Sequence, residues 1–256
     1  MSPPFEIIVK ENPAELAHAG AGILFNEVMS SIERKNAFTL AVSGGSTPRA
    51  MHCLLAQEPY QSNIPWGKTH LFWVDDRCVP LSDKASNYGA ALKDFLEKIP
   101  MPPDRIHPMP TTITPSEGAD RYQKDLKAFF HPGGKGYPVF DLVFLGIGTD
   151  GHTASLFPGH EALEEKEKWV VAVKGGKPNV NRLTLTFPVL NAAGKIVFLV
   201  SGKGKAEILR RLLGGKGTSL PAQRIKPAKG KLIWLVDRDA ASMLPEDLIG
   251  ASIDKE

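Results

Sequence analysis

Six short, almost wholly apolar runs punctuate the chain, and each leads into a polar, mostly glycine-bearing turn. They are FTLAV (38–42), HLFWV (70–74), FDLVFL (140–145), WVVAV (169–173), KIVFLV (195–200) and KLIWLV (231–236). Runs of this length, rich in β-branched and aromatic residues, predict strands. Their lack of alternation predicts strands buried on both faces, as in a parallel sheet covered by helices. LTLTF (183–187) alternates instead, which suits an edge strand or one face of a hairpin. The intervening segments read as helices. Asn12-Pro13 followed by Glu15 has the form of a capping box, and Leu16, Leu24, Val28 and Ile32 then fall on one stripe. Arg49–Gln57, Asn87–Ile99, Glu117–Phe130 and Lys205–Leu213 follow the same pattern. Strand alternating with helix predicts a doubly wound α/β fold with a mostly parallel sheet. Pro100–Pro115 reads as a surface crossing and His131–Tyr137 as a loop; neither marks a boundary, so a single domain is expected over 1–256.

A hydrophobic content of 42%, with no glycine or proline period, excludes disorder and collagen-like structure. The net charge of +3 suits a small anionic ligand and is too small to argue for nucleic acid. Cys53 and Cys78 form no C-x-x-C pair, which points to reduced thiols in a reducing compartment. The N-terminus lacks the pattern of a secretory leader, and no apolar run approaches the ~18 residues needed to span a membrane. A cytoplasmic protein without membrane insertion is expected. With no long exposed apolar stripe, a monomer is expected too.

In an open α/β sheet, ligands bind beyond the carboxyl ends of the strands. Four apolar runs lead there into chemistry: Ser43-Gly44-Gly45-Ser46-Thr47-Pro48, Asp75-Asp76-Arg77, Gly146-Ile147-Gly148-Thr149-Asp150-Gly151-His152 and Ser201-Gly202-Lys203-Gly204-Lys205. In the first, glycines allow close approach of backbone to a ligand. Thr47 is expected as an N-cap with Pro48 at the first helical position, aiming the amides of Arg49 and Ala50 at a phosphate or carboxylate. No Walker A pattern occurs. GIGTDG matches G-x-G-x-x-G, but Pro158 cuts short the helix that would receive a pyrophosphate and Asp150 sets a carboxylate where anionic oxygens should lie. A dinucleotide cofactor is therefore not expected.

His152 follows that turn, with Asp150 placed to orient its imidazole for proton transfer near neutral pH. The remaining histidines show no metal-ligand spacing, and no G-x-S-x-G occurs, so neither a metal nor a serine nucleophile is expected. Lys203 and Lys205 lie at a helix start, a disfavoured place for cations unless an anion compensates. Arg77 suits a planar oxygen group or a developing negative charge, or else an ion pair with Asp75 or Asp76. Arg182 reads as a surface charge or a second phosphate ligand.

SGGSTP, WVDDRCVP with SNYGAA downstream, GIGTDGHTASLFPGH, RLTLTFPVLNAA and VSGKGKAEIL occur in the order found in 6-phosphogluconolactonases, over roughly residues 38 to 236. The chain resembles that family, whose superfamily includes glucosamine-6-phosphate deaminases. The resemblance implies a three-layer α/β/α fold and a cytosolic pentose-phosphate-pathway enzyme. Such an enzyme hydrolyses 6-phospho-D-glucono-1,5-lactone without metal or cofactor. By matching motif it implies His152 as general base beside Asp150, and Ser43, Gly44, Gly45, Ser46 and Thr47 with Lys205 and Arg182 at the sugar phosphate. Asp75 would join the substrate site, and Arg77 would lie over the substrate. Many relatives carry Asp-Glu-Arg at Asp75-Asp76-Arg77, which leaves the role of Asp76 open. The deaminases typically carry Asp-Glu-Tyr there and Ala-Phe-Asn-Glu-Pro at Ala154–Pro158, so their proton-transferring glutamate has no counterpart here. A sugar-phosphate sensor of transcription would carry a basic helix-turn-helix ahead of the first strand, expected at Phe38, and none is visible.

Overall fold

The computed structural model describes residues 5–131, 136–214, 220–246 and 248. Its strands, in chain order, are β1 (Glu6–Lys10), β2 (Phe38–Val42), β3 (Thr69–Trp73), β4 (Asp75–Arg77), β5 (Ile106–His107), β6 (Leu142–Leu145), β7 (Val170–Gly175), β8 (Val180–Leu185), β9 (Lys195–Val200) and β10 (Lys231–Asp237). Seven of them form one sheet in the order β1-β10-β9-β6-β2-β3-β5, every neighbouring pair parallel. All residues of β2, β3 and β6 are buried, as unbroken apolar runs require of strands covered on both faces. The helices of eight or more residues that flank the sheet are α1 (Pro13–Lys35), α2 (Ser46–Leu55), α3 (Asn87–Asp94), α4 (Pro115–Phe130) and α5 (Ala206–Gly214). The result is the doubly wound α/β architecture expected from the alternation of runs and stripes.

Four local expectations are corrected. WVVAV does not join the parallel sheet: β7 pairs antiparallel with β8, and β8 with β4, in a separate three-stranded sheet. Val170 and Val173 are buried there while Val171 is half-buried and Ala172 exposed, so part of the run meets solvent despite its apolar letters. The alternating segment is the hairpin alternative, and β8 sits in the middle of its sheet. The first strand is not at Phe38 but at EIIVK, a short mixed segment on the sheet edge with only Ile7 fully buried. The stretch Pro100–Pro115 is more than a surface crossing: it supplies β5 and buries Met101, Met109 and Thr111. Residues 132–135 of the predicted loop His131–Tyr137 lie outside the described residues. The cap of α1 forms as expected, with Asn12 Oδ1 accepting the Glu15 N–H at 2.9 Å, although the Glu15 carboxylate reaches the N–H of Glu11 and not that of Asn12.

One buried and one half-buried imidazole make this core acid-sensitive. His52 on α2 is 4% exposed, stacks on Phe95 with ring centroids 4.9 Å apart, and leaves Nε2 without a partner. Burial lowers its pKa to about 4. His107 on β5 lies flat on Phe72, centroids 4.3 Å apart, and burial with the neighbouring His70 likewise lowers it to about 4. Both rings are neutral in the folded protein but take up protons near pH ~6.5 when unfolded. Through these two rings the unfolded chain binds more protons between pH ~6.5 and 4, so the stability tied to them is full above that window and is lost as pH falls through it; Asp76, raised by burial to about 6, opposes this with a smaller slope of its own. Thermal unfolding followed across this range should show the melting temperature dropping with acidity. His52→Phe should flatten that slope, by an amount of order 3 kcal/mol over the window; an unchanged slope would show that His52 does not carry it.

Candidate active site

Parallel order sets the carboxyl ends of β3, β2, β6 and β9 side by side along one sheet edge. The four loops that leave those ends are laced together. Ser43 donates both its N–H and its hydroxyl to Phe144 O, at 3.2 and 3.0 Å. Lys205 Nζ donates to Ile147 O at 2.7 Å, joining the loop after β9 to that after β6. Ser155 Oγ donates to Asp75 Oδ2 at 2.6 Å, joining the His152 turn to the end of β3. The segments singled out in the sequence therefore occupy one continuous region.

The loop between β2 and α2 presents backbone. Gly45 and Ser46 are exposed, and α2 begins at Ser46 with Gly45 as its N-cap and no side chain capping the first turn. The expected register was two residues late: Thr47 is the second helical residue, not the cap, and Pro48 the third. Gly45 causes the difference. Its φ of +112° and ψ of 172° turn the chain into the helix through a region essentially restricted to glycine, a residue with no side chain to cap the first turn. The uncapped amides of Ser46 and Thr47 leave the positive end of α2 open to an anion. Ser43 is 5% exposed and its hydroxyl is spent on the protein. A cleft of about 520 Å³ opens beside this loop, lined by Gly45, Ser46, Arg77, Lys84, Ser86 and Asn87 among others. Another cleft of about 440 Å³, between Ser116, His160 and Val170, contains none of the residues above.

His152 keeps 29% of its side chain exposed, and its Nδ1 lies 2.6 Å from Asp150 Oδ1. A carboxylate so close accepts the Nδ1 proton, leaving Nε2 as the basic nitrogen. Burial pushes the Asp150 carboxyl up, but the His152 backbone N–H at 3.1 Å and the imidazole outweigh it and hold the group below its usual range. The ring also rests against Phe157, centroids 4.8 Å apart. A Cβ on Gly148 would stand 2.0 Å from His152 Nδ1, so only glycine admits the imidazole–carboxylate pair here. Thr153 Oγ1 to Gly146 O at 2.9 Å and Ser155 N–H to Thr184 Oγ1 at 3.2 Å pin the turn on either side.

Three cations surround these groups. Arg77 and Arg182 are register partners across β4 and β8. Arg182 is 4% exposed, donates Nε to Gly175 O at 3.0 Å, and lies over the Phe157 ring at 5.5 Å. Burial and the like charge of Arg77 lower its pKa. Lys205 is lowered by burial, partly offset by Asp150. Among the described residues none of the three is ion-paired to a carboxylate. Asp75 and Asp76 are 5% and 1% exposed and committed inward: Asp76 accepts the N–H groups of Arg77, Asn87 and Tyr88 at 2.7, 2.7 and 3.0 Å. No cluster of three metal-ligating side chains occurs among the described residues.

The model of the family described as glucosamine-6-phosphate isomerases/6-phosphogluconolactonase matches residues 11–234. The chain belongs to this family. Within it, the 6-phosphogluconolactonase of Rattus norvegicus is 36% identical over 248 residues, covering 94% of each chain. The chloroplastic 6-phosphogluconolactonase 3 of Arabidopsis thaliana is 39% identical over 219 residues, 83% of this chain and 67% of the relative. The solved structure of 6-phosphogluconolactonase from Trypanosoma brucei superposes with a TM-score of 0.83 at 29% identity, covering 94% of this chain and 99% of that one.

Ser155, Phe157 and Asn87 were not singled out from the sequence, although all three lie inside strings shared with the family. No periodicity marks them, because Ser155 works through contacts 29 and 80 residues away, Asn87 through contacts 10 to 12 residues away and Phe157 across the turn. Two outcomes follow from the geometry. In imidazole ¹⁵N spectra above the ring's titration, His152 should be the Nδ1–H tautomer, and Asp150→Ala should shift it toward Nε2–H. Gly45→Ala should cost about 1–3 kcal/mol in urea unfolding, the strain of a side chain at this φ and ψ.

Proposed function

We propose that this family member hydrolyses 6-phospho-D-glucono-1,5-lactone to 6-phospho-D-gluconate, with His152 as the general base. The observation that carries the reading is the Asp150–His152 pair, its free Nε2 set in the same laced region as an uncapped helix terminus and three cations without carboxylate partners. The lactone's phosphate docks on the amides of Ser46 and Thr47, with Gly44 and Gly45 allowing close approach and Lys205 and Arg182 supplying charge. Remote binding of the phosphate then orients C1 beside His152.

Water gives a proton to His152 Nε2 as its oxygen bonds to C1, and the carbonyl electrons move onto oxygen. Arg77 or the amides of the 146–151 turn face that oxyanion. When the carbonyl re-forms, the bond from C1 to the ring oxygen breaks and the imidazolium returns its proton to the departing oxygen. Asp150 holds the ring throughout and stabilises its charged form. Asp75 and Ser43 contribute by fixing the loops, since both are buried and bonded to protein. The two free cysteines fit a cytoplasmic setting. None of the helices among the described residues is long and apolar enough to cross a membrane.

His152→Ala should lower kcat by about 10²–10⁴-fold with KM nearly unchanged, measured as acid release from freshly made lactone after subtraction of spontaneous opening. Lys205→Ala should instead raise KM about tenfold or more. Near-full turnover by His152→Ala would remove the base assignment. Ammonia release from glucosamine 6-phosphate in place of acid release from the lactone would assign the chain to the deaminase branch.

A further inference from the structure

Asn87 joins three parts of this region. It is 4% exposed and begins α3. Its Nδ2 donates to Asp75 O at 2.8 Å, its Oδ1 accepts from Arg77 NH1 at 2.6 Å, and its backbone N–H donates to Asp76 Oδ1 at 2.7 Å. A backbone carbonyl only accepts, so the NH₂ must face Asp75 and the amide oxygen must face Arg77. The same oxygen lies beside the anion loop, for a Cβ on Gly44 would come within 1.8 Å of it.

Arg77 is held in an uncommon way. Its NH1 uses both hydrogens on neutral acceptors, Ala85 O at 2.8 Å and Asn87 Oδ1 at 2.6 Å. Its Nε has no partner, and among the described residues no hydrogen bond engages NH2. Buried or half-buried arginines usually meet a carboxylate, because an unpaired charge in a low dielectric is costly. Here two carboxylates lie next in sequence, yet both are bound to other donors. An amide at 87 fixes the guanidinium without cancelling its charge; a carboxylate at the same place would neutralise it and could not donate to Asp75 O.

We propose that Asn87 is a positioning residue: its neutral amide oxygen seats Arg77 against the anion loop while leaving the arginine's positive charge available to the substrate. The inference rests on the reading above that Arg77 faces the reacting lactone. It predicts a coupling that simple loss of packing does not. Asn87→Asp sets a carboxylate against Asp75 O, where the amide donates at 2.8 Å, and 3.4 Å from Asp75 Oδ1, so it is damaging in either case; dependence of the loss on Arg77 is what separates the two roles.

The test measures kcat and KM on the phosphorylated lactone, with melting temperature, for Asn87→Asp, Asn87→Ala, Arg77→Ala and each Asn87 change combined with Arg77→Ala. In folded protein, Asn87→Asp should lose between about tenfold and 10²-fold in kcat/KM, more than Asn87→Ala. Asn87→Ala should cost kcat/KM nothing further once Arg77 is alanine, and Asn87→Asp should cost less there than beside Arg77. Should aspartate prevent folding, Asn87→Ala with Arg77→Ala completes the same cycle. The proposal is overturned if the Asn87 changes lower only the melting temperature, or if they cost the same with and without Arg77. Full turnover by Arg77→Ala would overturn the role of Arg77 itself. Absence of lactone hydrolysis by the unaltered protein would overturn the proposed function, so the three failures are distinct.

Discussion

Burying two adjacent carboxylates is the constraint around which the rest of this site is arranged. Asp75 and Asp76 leave the end of β3 as the short strand β4 and are almost fully enclosed. A buried carboxylate without partners is strongly unfavourable, so each must collect donors. Asp75 draws in Ser155 from the His152 turn, and Asp76 draws in the amides of Arg77, Asn87 and Tyr88 with the Ser86 hydroxyl at 3.2 Å. Even so, burial pushes the Asp76 carboxyl up to about 6 against the pull of those amides. Satisfying these acids is what brings the imidazole turn, the start of α3 and the arginine of β4 to one place.

Glycine makes the resulting crowding possible, and at each point for a nameable contact. A side chain at Gly44 would strike Asn87, at Gly148 the His152 ring, and at Gly176 the Arg182 guanidinium at 2.6 Å. Close backbone approach is how a hydrogen-bonded junction this dense forms. The Asp150–His152 pair is thus held by packing as much as by its own hydrogen bond.

The cations complete the picture through what they lack. Arg77, Arg182 and Lys205 are anchored by backbone carbonyls, one amide oxygen and an aromatic face, so their positions are set without a direct ion pair among the described residues, although Asp75 and Asp76 act on Arg182 and Asp150 on Lys205 through space. Like charges set across a pair of strands repel. Arg77 opposite Arg182 is tolerable where an anion enters between or beside them. The mild overall surplus of +3 gives no hint of this concentration, since it averages over a surface on which most charges are dispersed.

Local chemistry determined the parallel strands, the capped first helix, the glycine-bearing turns and the candidacy of His152 with Asp150, because runs of apolar letters, caps and near neighbours act over a few residues. It left open which strands share a sheet. WVVAV reads like a core strand and is instead half of an antiparallel hairpin, since its exposed face is defined only by what packs on the other. The start of α2 was also misplaced, because a glycine's left-handed dihedrals do not show in its letter. Only the tertiary structure decided that Asp75 and Ser43 turn inward, and that Arg77 faces Arg182 and leans on Asn87. Those outcomes depend on hydrogen bonds and strand register between segments ten to a hundred residues apart, where the need to satisfy buried charge, and no local preference, selects the partner.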